Sequence, residues 1–500
     1  MAYLKKFGIG NFRVFKEYTE FDLAPITVLT GKNNSGKSSF IKALLLMKKN
    51  MNIGYSINND LSIDFEYLGL GDVDTIFNKK NKTIEFLFSF ERYCWRMKMN
   101  ILVKLIYYKN NERENTLSLS EIKIFDADTN IFLFGVIDDY KKKTIISEYN
   151  IEYFIDKINQ IDSLNSDVKV NILDSLKSQN KIIVHSKVKE NNSDDLKNYG
   201  YNQAGLYQLI KAGFWNEEVL KEYDNNLDIK AYLGYDLILN LIKYHSGYSR
   251  PINSFEKIEY LPPIRANINR IHSKYSNLIM DIMLEQTYKK KLLNVKIYKD
   301  FFVRQLKRFE IGNDIIIKSV DNTINIVSVI MSSGEKVNLS DLGLGYSQLL
   351  PIILKIILQA KTFSYEEPDN ERKVFIKSFN ESLFLLEEPE ANLHPDFQSK
   401  LAELFVDAMK TFNIQFIIET HSEYLIRKLQ YLTAKKEIMP EDTAIYYFNN
   451  PENIPKGEEQ VYRIRIDEFG GLSDSFGKGF FDETSRLQFE LLKLTKNQMN

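Results

Sequence analysis

A chain of 500 residues is longer than one compact core usually covers, so its length predicts a principal domain carrying at least one large insertion. Basic and acidic residues nearly cancel, 66 against 67, which excludes a global field drawing the chain onto nucleic acid or acidic membrane and leaves room only for a local patch. The single cysteine, Cys94, excludes an intrachain disulfide framework and a thiolate zinc cluster, suits a reducing compartment, and reads as a small buried hydrophobe.

In chain order, Lys5 and Lys6 precede the polar run Phe7-Gly8-Ile9-Gly10-Asn11, which does not read as a signal peptide. Short alternating runs from Leu4 to Val28 predict strands leading into Pro25-Ile26-Thr27-Val28-Leu29-Thr30. A glycine-containing turn follows, and Phe40 to Met47 is apolar nearly all round, as a helix sandwiched in a core is. Residues 83–136 hold β-rich runs separated by polar turns and predict an antiparallel sheet. From about Tyr140 to Ser254 the pattern turns helical, with a polar loop at Lys189 to Asp195, and this is the expected insertion. A strand at Ile258 to Leu261 returns to the core, helical periodicity runs from Asn277 to Phe309, and Asp314 to Met331 is β-rich. From Leu342 onward helices and strands alternate around a polar loop at Tyr365 to Lys373, which argues for a parallel sheet. The expected fold is therefore α/β, with boundaries at 1–139, 140–255 and 256–500. The most apolar stretch, Leu349 to Ala360, is broken by Pro351 and Lys355 and falls short of the roughly 20 residues that span a bilayer. A soluble, cytoplasmic protein with no membrane partner is expected.

Four segments carry chemistry. Gly31-Lys32-Asn33-Asn34-Ser35-Gly36-Lys37-Ser38 fits the phosphate-loop pattern at every fixed position, between an apolar strand and an apolar helix as that mechanism requires. Glycines let backbone N–H groups turn inward around phosphate oxygens, and the helix beginning near Ser39 presents its positive end. Lys37 is placed for the β- and γ-phosphates of ATP and Ser38 for Mg²⁺. Ser382-Leu383-Phe384-Leu385-Leu386-Glu387-Glu388-Pro389-Glu390 reads as a buried parallel strand delivering acids at its C-terminal end. Glu387 is the candidate holder of Mg²⁺ and Glu388 the candidate that orients and polarises an attacking water. Ile414 to Ser422 is a further core strand, and His421 at its end is placed to sense the γ-phosphate. Finally, Asn338 to Gln348 sets Gly343, Gly345 and Ser347 ahead of an apolar helix, a second anion-binding helix start; taken alone it is also an ordinary cap.

These four segments, in this order, resemble the ABC-type ATPases of the SMC, RecF and OLD (overcoming lysogenization defect) group. Gly343 to Gln348 is a loose likeness of LSGGQ, whereas Leu385 to Pro395, running L-L-E-E-P-E-A-N-L-H-P, is close to the OLD and RecF form. Lys478 to Glu483 resembles the G-F-F-D-E tail of a bacterial family of ATPases, and Leu261-Pro262-Pro263-Ile264-Arg265 resembles that family's strand followed by G-P-L-R. The resemblance implies an ATPase head with a mixed or parallel core sheet, an N-terminal antiparallel lobe and a mainly helical insertion. It implies ATP and Mg²⁺ as ligands and a head-to-tail homodimer or larger homo-oligomer. In it Gly345, Ser347 and Gln348 act on the partner's nucleotide, with Asn392 and Leu393 at the dimer-contacting loop. Relatives place a Gln after the first lobe's helix, yet no Gln occurs between Ser38 and Gln160. Tyr67 to Asp72 occupies that place, so another group, Asp72 among them, takes the role.

Relatives with this tail are linked to anti-phage defence, which implies a regulatory ATPase controlling a separately encoded nuclease or toxin. OLD nucleases append a metal-binding domain needing a Glu and a D-x-D pair, and the 79 residues after His421 (500 − 421) contain no D-x-D. A RecF-like DNA-repair ATPase and a non-hydrolysing scaffold remain the alternatives. Residues 251–310 hold twelve Lys or Arg against six Asp or Glu, including Lys289, Lys290, Lys291, Arg304, Lys307 and Arg308. This stripe is either a phosphate-binding DNA surface or a solvated helix face.

Overall fold

The computed structural model describes residues 4–51, 60–63, 68–78, 83–94, 97–109, 115–139, 144–150, 184–187, 258–263, 272–273, 292–320, 324–360, 362–365, 375–379, 382–477 and 480–499. The chain divides into two compact units, one formed by residues 23–38 with 259–500, the other by 4–22 with 39–258. This division separates the phosphate-loop segment from the antiparallel lobe with which the sequence grouped it in 1–139.

The first unit is built on a six-stranded sheet in the order Ile258–Leu261, Ser382–Glu387, Ile414–Glu419, Ile26–Gly31, Thr443–Phe448, Val461–Ile464. The four strands from Ser382–Glu387 to Thr443–Phe448 run parallel, and Val461–Ile464 closes one edge antiparallel. Their near-continuous apolar runs are what burial on both faces demands: Ile26–Gly31, Ile414–Glu419 and Thr443–Phe448 are buried at every position. Among the described residues five helices belong to this unit, Lys296–Arg308, Leu344–Gln359, Pro395–Phe412, Glu423–Ala434 and Glu483–Met499. Phe384, Phe405 and Phe416 are fully buried, with Phe416 ring centroids 5.9 and 5.1 Å from the other two. Each such side chain contributes about 1.5–3 kcal/mol by burial. Pro395 opens its helix at the first position, and Asn413 ends it in the left-handed conformation, the asymmetry that leaves both ends satisfied.

Two smaller sheets complete the unit. Within the expected β-rich run, Asp314–Val320 and Ile324–Ile330 pair antiparallel, joined by Lys336–Asn338 and His272–Ser273. Thr362–Tyr365 and Phe375–Phe379 pair as a further hairpin on either side of the expected polar loop. Within the predicted helical run 277–309, the described residues give a 3-10 turn at Leu292–Asn294 and the helix Lys296–Arg308; Lys289, Lys290 and Lys291 lie outside the described residues.

The second unit is a nine-stranded antiparallel sheet. Thr83–Cys94, Met97–Lys109, Thr116–Asp126 and Phe132–Asp139 follow one another in it, as the sequence leads one to expect. The sheet continues past residue 139 through Thr144–Tyr149 and Val184–Lys187. Those two strands stand where a helical insertion was expected; the rest of 140–255 lies outside the described residues, as does the side chain of Cys94. Here Phe40 packs edge-on against Phe7 and Phe21, at 5.3 and 4.6 Å between centroids. Asp72 caps the short helix Val73–Ile76 without a side-chain hydrogen bond, and it belongs to this unit rather than to the one holding Lys37. Among the described residues no helix is long and apolar enough to cross a membrane.

Candidate functional site

The strand Ile26–Gly31 is third from one edge of its sheet, flanked by Ile414–Glu419 and Thr443–Phe448. At its C-terminal end Gly31 takes φ +134, and a Cβ there would sit 2.3 Å from the Phe448 carbonyl oxygen. Only glycine lets the backbone turn into the loop so close to the neighbouring strand. Asn34 (φ 58) and Gly36 (φ 116) continue the turn in left-handed backbone. Asn33 and Asn34 are exposed, while Ser35, Gly36, Lys37 and Ser39 are buried. The helix Lys37–Met51 has no acidic residue in its first turn, so its positive end is not neutralised from within. The Ser35 hydroxyl is buried with no hydrogen-bond partner, an orphan suited to an incoming acceptor.

Lys37 curls back over the loop and donates to the carbonyls of Gly31 (3.2 Å) and Lys32 (2.8 Å). Burial lowers its pKa, opposed by the charges of Glu419 and Glu388. The Ser38 hydroxyl lies 3.1 Å from each carboxylate oxygen of Glu419, and the Lys37 amine is 4.0 Å from the same carboxylate. Glu419 was not among the expected site residues. Its strand ends level with Ser382–Glu387, so Glu419 and Glu387 are register partners. Burial, then the Glu387 charge, pushes the Glu419 carboxyl up to about 7, against the opposing pull of Lys37 and Ser38. Glu387 accepts a 3.1 Å hydrogen bond from the Tyr260 hydroxyl, whose own pKa is raised by burial and by that carboxylate.

Glu388, the next residue, adopts φ +45, an uncommon conformation for a side chain with Cβ. Its N–H donates to the Glu419 carbonyl at 2.8 Å, so the strained turn is held by the neighbouring strand. Its charge acts on Lys37, Glu419, Glu390 and His421. Glu390 accepts the His421 backbone N–H at 2.7 Å, and burial raises its pKa. The His421 imidazole is open to solvent on one side, yet the surrounding protein and the Lys37 charge hold its pKa below the ordinary value. Its ring centroid is 6.2 Å from that of Phe480. Ser422 then caps the helix Glu423–Ala434 and donates to Gln398 at 2.7 Å.

One site thus gathers Lys37, Ser38, Glu387, Glu388 and His421, with Glu419 and Glu390 added. The turn before Leu344–Gln359 has other neighbours. A Cβ on Gly345 would meet the Asn392 carbonyl at 3.2 Å and the Leu393 side chain at 3.6 Å. Gly343 (φ +94) and Leu344 are exposed, whereas Ser347 and Gln348 are 2% and 6% exposed. Of the basic stripe, Arg304 pairs with Asp407 at 2.9 Å and Arg308 with Glu403 at 3.1 Å.

The donors around Ser38, one hydroxyl and the carboxylates of Glu387 and Glu419, are hard oxygens. They suit Mg²⁺, which uses one or two carboxylates together with substrate phosphates and retained water. Among the described residues no group of three or more His, Cys, Asp or Glu forms a self-contained metal cage; a metal arriving with a triphosphate does not require one.

A strand, phosphate loop and helix, with acids at the ends of the parallel strands beside it, define a P-loop ATPase domain. The chain belongs to the AAA ATPase domain family, whose model matches residues 3–426. A second model, for a protein family of unknown function, matches residues 438–491. The chain is 23% identical over 511 residues to Endonuclease GajA of Bacillus cereus (strain HuB5-5), covering 93% of this chain and 65% of that protein. It therefore spans less than two thirds of the length of that relative. Among solved structures it is similar to an SMC head bound to the C-winged helix domain of ScpA (TM-score 0.42, 12% identity, 93% of this chain and 99% of that one). It is also similar to an SMC head with an extended coiled coil bound to the C-terminal domain of ScpA derived from Pyrococcus furiosus (TM-score 0.40, 13% identity, 93% and 97%).

Proposed function

We propose that this chain binds and hydrolyses ATP as an ABC-type ATPase that works as a head-to-tail homodimer. The observation that carries the reading is the convergence of Lys37 and Ser38 with the acids at the ends of two adjoining parallel strands. Loop amides from Asn33 to Ser39 cradle the phosphates, and Lys37 leaves its two loop carbonyls to meet the β- and γ-oxygens. Ser38 and Glu387 would hold Mg²⁺, which when bound neutralises charge on the triphosphate. Glu388 orients the attacking water and takes up its proton, and His421, kept neutral by its surroundings, hydrogen-bonds near the γ-phosphate.

Gly343, Gly345, Ser347 and Gln348 close on the partner's nucleotide in this reading. Gly343 and Leu344 are the exposed edge of that turn, and its left-handed glycine leaves backbone N–H groups for an anion. Ser347 and Gln348, buried behind it, shape the turn and reach the nucleotide only as the dimer closes.

The resemblance of Lys478 to Glu483 to the tail of ATPases linked to anti-phage defence supports a place there, with this ATPase controlling a separately encoded nuclease or toxin. ATP turnover and oligomeric state test the whole reading. Lys37→Ala is expected to abolish nucleotide binding, and Glu388→Gln to lower turnover by about 10²–10⁴-fold while trapping ATP and a stable dimer. A Glu388→Gln protein that turns over ATP like the wild type, or stays monomeric with ATP bound, overturns it. ATP binding without turnover in the wild type, left as before in Glu388→Gln, would favour a non-hydrolysing scaffold.

A further inference from the structure

Glu419 stands nearer the phosphate-loop strand than Glu387 does. Its strand stands between the strand of Glu387 and the loop strand Ile26–Gly31, so it is one strand spacing from the loop where Glu387 is two. Register places Glu419 opposite Leu29 on one side and Glu387 on the other. The residue is 5% exposed, and both its carboxylate oxygens are engaged by the single hydroxyl of Ser38 at 3.1 Å, with the Lys37 amine at 4.0 Å. Ser38 is therefore hydrogen-bonded to this one buried carboxylate, and Lys37, which donates to two loop carbonyls, lies 4.0 Å from it.

We propose that Glu419 is a positioning residue of the phosphate site that makes nucleotide binding conditional on a divalent cation. The inference rests on the ATP-binding reading above and gives a task to a residue of the third segment that had been assigned none. A triphosphate settling on Lys37 brings its negative oxygens beside Glu419 and Glu387, so like charges repel within a few ångströms. A divalent cation shared by Ser38 and the phosphates turns that repulsion into attraction, because the same carboxylates then face a positive ion. Glu419 thus penalises metal-free ATP and supports metal-loaded ATP, and Ser38 changes partner between the two states.

The experiment measures ATP dissociation constants at pH 8.5, where the Glu419 carboxylate is ionised, for the full-length chain in excess Mg²⁺ and in EDTA, for wild type, Glu419→Gln and Glu419→Asp. The quantity read is the ratio of the metal-free to the metal-loaded constant. Removing the charge in Glu419→Gln is expected to lower this ratio at least fivefold, about the effect of one unit charge some 4 Å away even in water. Glu419→Asp keeps the charge but retracts it by one methylene, so it is expected to recover part of the ratio. An unchanged ratio in Glu419→Gln overturns the proposal and leaves Glu419 as a structural partner of Ser38. Should Glu419→Gln not fold, a Glu419→Asp ratio equal to the wild type is the overturning result. If wild type binds no ATP in either condition, or if Lys37→Ala leaves binding intact, the underlying ATP reading fails instead.

Discussion

Both carboxylate oxygens of Glu419 stand 3.1 Å from the Ser38 hydroxyl, at the point where the phosphate loop passes into its helix. The contact joins residues 381 positions apart in the chain. It exists because the two parallel strands Ile26–Gly31 and Ile414–Glu419 are neighbours, with Glu419 opposite Leu29 near the end of the loop strand.

The raised pKa of Glu419 makes stability depend on pH. An ordinary glutamate titrates at 4.5, and this one at about 7 in the folded protein. The folded state therefore holds a proton that the unfolded state releases, so this contribution is fully present below about pH 4.5 and is lost as pH rises through about 7. The protein is expected to lose about 2.5 kcal/mol from this group between pH 5 and 8. Melting temperatures across that range should fall more steeply for wild type than for Glu419→Gln, which carries no titrating group there. Parallel curves would show that Glu419 does not titrate as stated.

Two glycines are expected to respond differently to alanine. At Gly31 the new Cβ would lie 2.3 Å from the Phe448 carbonyl oxygen, in backbone at φ +134, so neither rotamer change nor side-chain movement relieves it. Gly31→Ala is expected to cost about 3 kcal/mol or more and to abolish ATP binding. Gly343, at φ +94, has nothing within 4 Å of an added Cβ; Gly343→Ala is expected to cost about 1–3 kcal/mol of backbone strain with no clash added. Equal losses of melting temperature in the two variants would contradict the steric distinction.

Much of this architecture is legible in the residues themselves. Apolar runs such as Leu383 to Leu386 and Phe416 to Ile418 mark strands buried on both faces, and the phosphate loop announces the strand before it and the helix after it. What escapes sequence reading depends on register between strands. Glu419 closes Ile417-Ile418-Glu419 much as Glu387 closes Leu385-Leu386-Glu387, a repeated ending that hints at a second acid. Only the pairing of Glu387 with Glu419 and of Glu419 with Leu29 brings that acid to Ser38. Likewise, a helix pattern does not say which face meets the core, so the burial of Ser347 and Gln348 is a tertiary fact. The strand Thr144–Tyr149 departs from its predicted helix because its Thr, Ile and Tyr residues suit a pleated sheet and pair with Phe132–Asp139.

Phe480 ties the residues after the last core strand to the sensing histidine. Its ring packs edge-on to Tyr447 at 5.3 Å, lies 4.5 Å from Phe481, and stands 6.2 Å from His421. Tyr447 sits on the strand adjoining the loop strand, so the aromatic group braces the site from one side. Phe480→Ala is expected to cost about 1–3 kcal/mol, below the loss for a fully buried Phe because Phe480 is half-buried. With His421 less well seated, ATP turnover is expected to fall several-fold while the ATP dissociation constant changes little. Wild-type turnover by Phe480→Ala, assayed well below its melting temperature, would remove the tail from the catalytic account.

Arg304 and Arg308 bear on whether the basic stripe contacts DNA. Asp407 accepts hydrogen bonds from Arg304 at 2.9 and 3.1 Å, from Gln305 at 2.6 Å and from Thr411 at 3.1 Å. Burial alone would raise the Asp407 pKa, but Arg304, Gln305 and Thr411 outweigh it and hold the carboxyl below its ordinary 3.8. That contribution is present above about pH 4 and is lost only as pH falls further. Because Gln305 is wholly buried, Asp407→Ala leaves its amide without this acceptor and is expected to cost about 1–3 kcal/mol at neutral pH. A cation already held by a carboxylate gains less from a phosphate, since it must first give up that partner. Arg304→Ala is therefore expected to lower the melting temperature and to leave the salt dependence of DNA retention unchanged. A salt slope smaller by about one unit in Arg304→Ala, with stability intact, would instead mark Arg304 as a phosphate contact and restore the DNA-binding reading of the stripe.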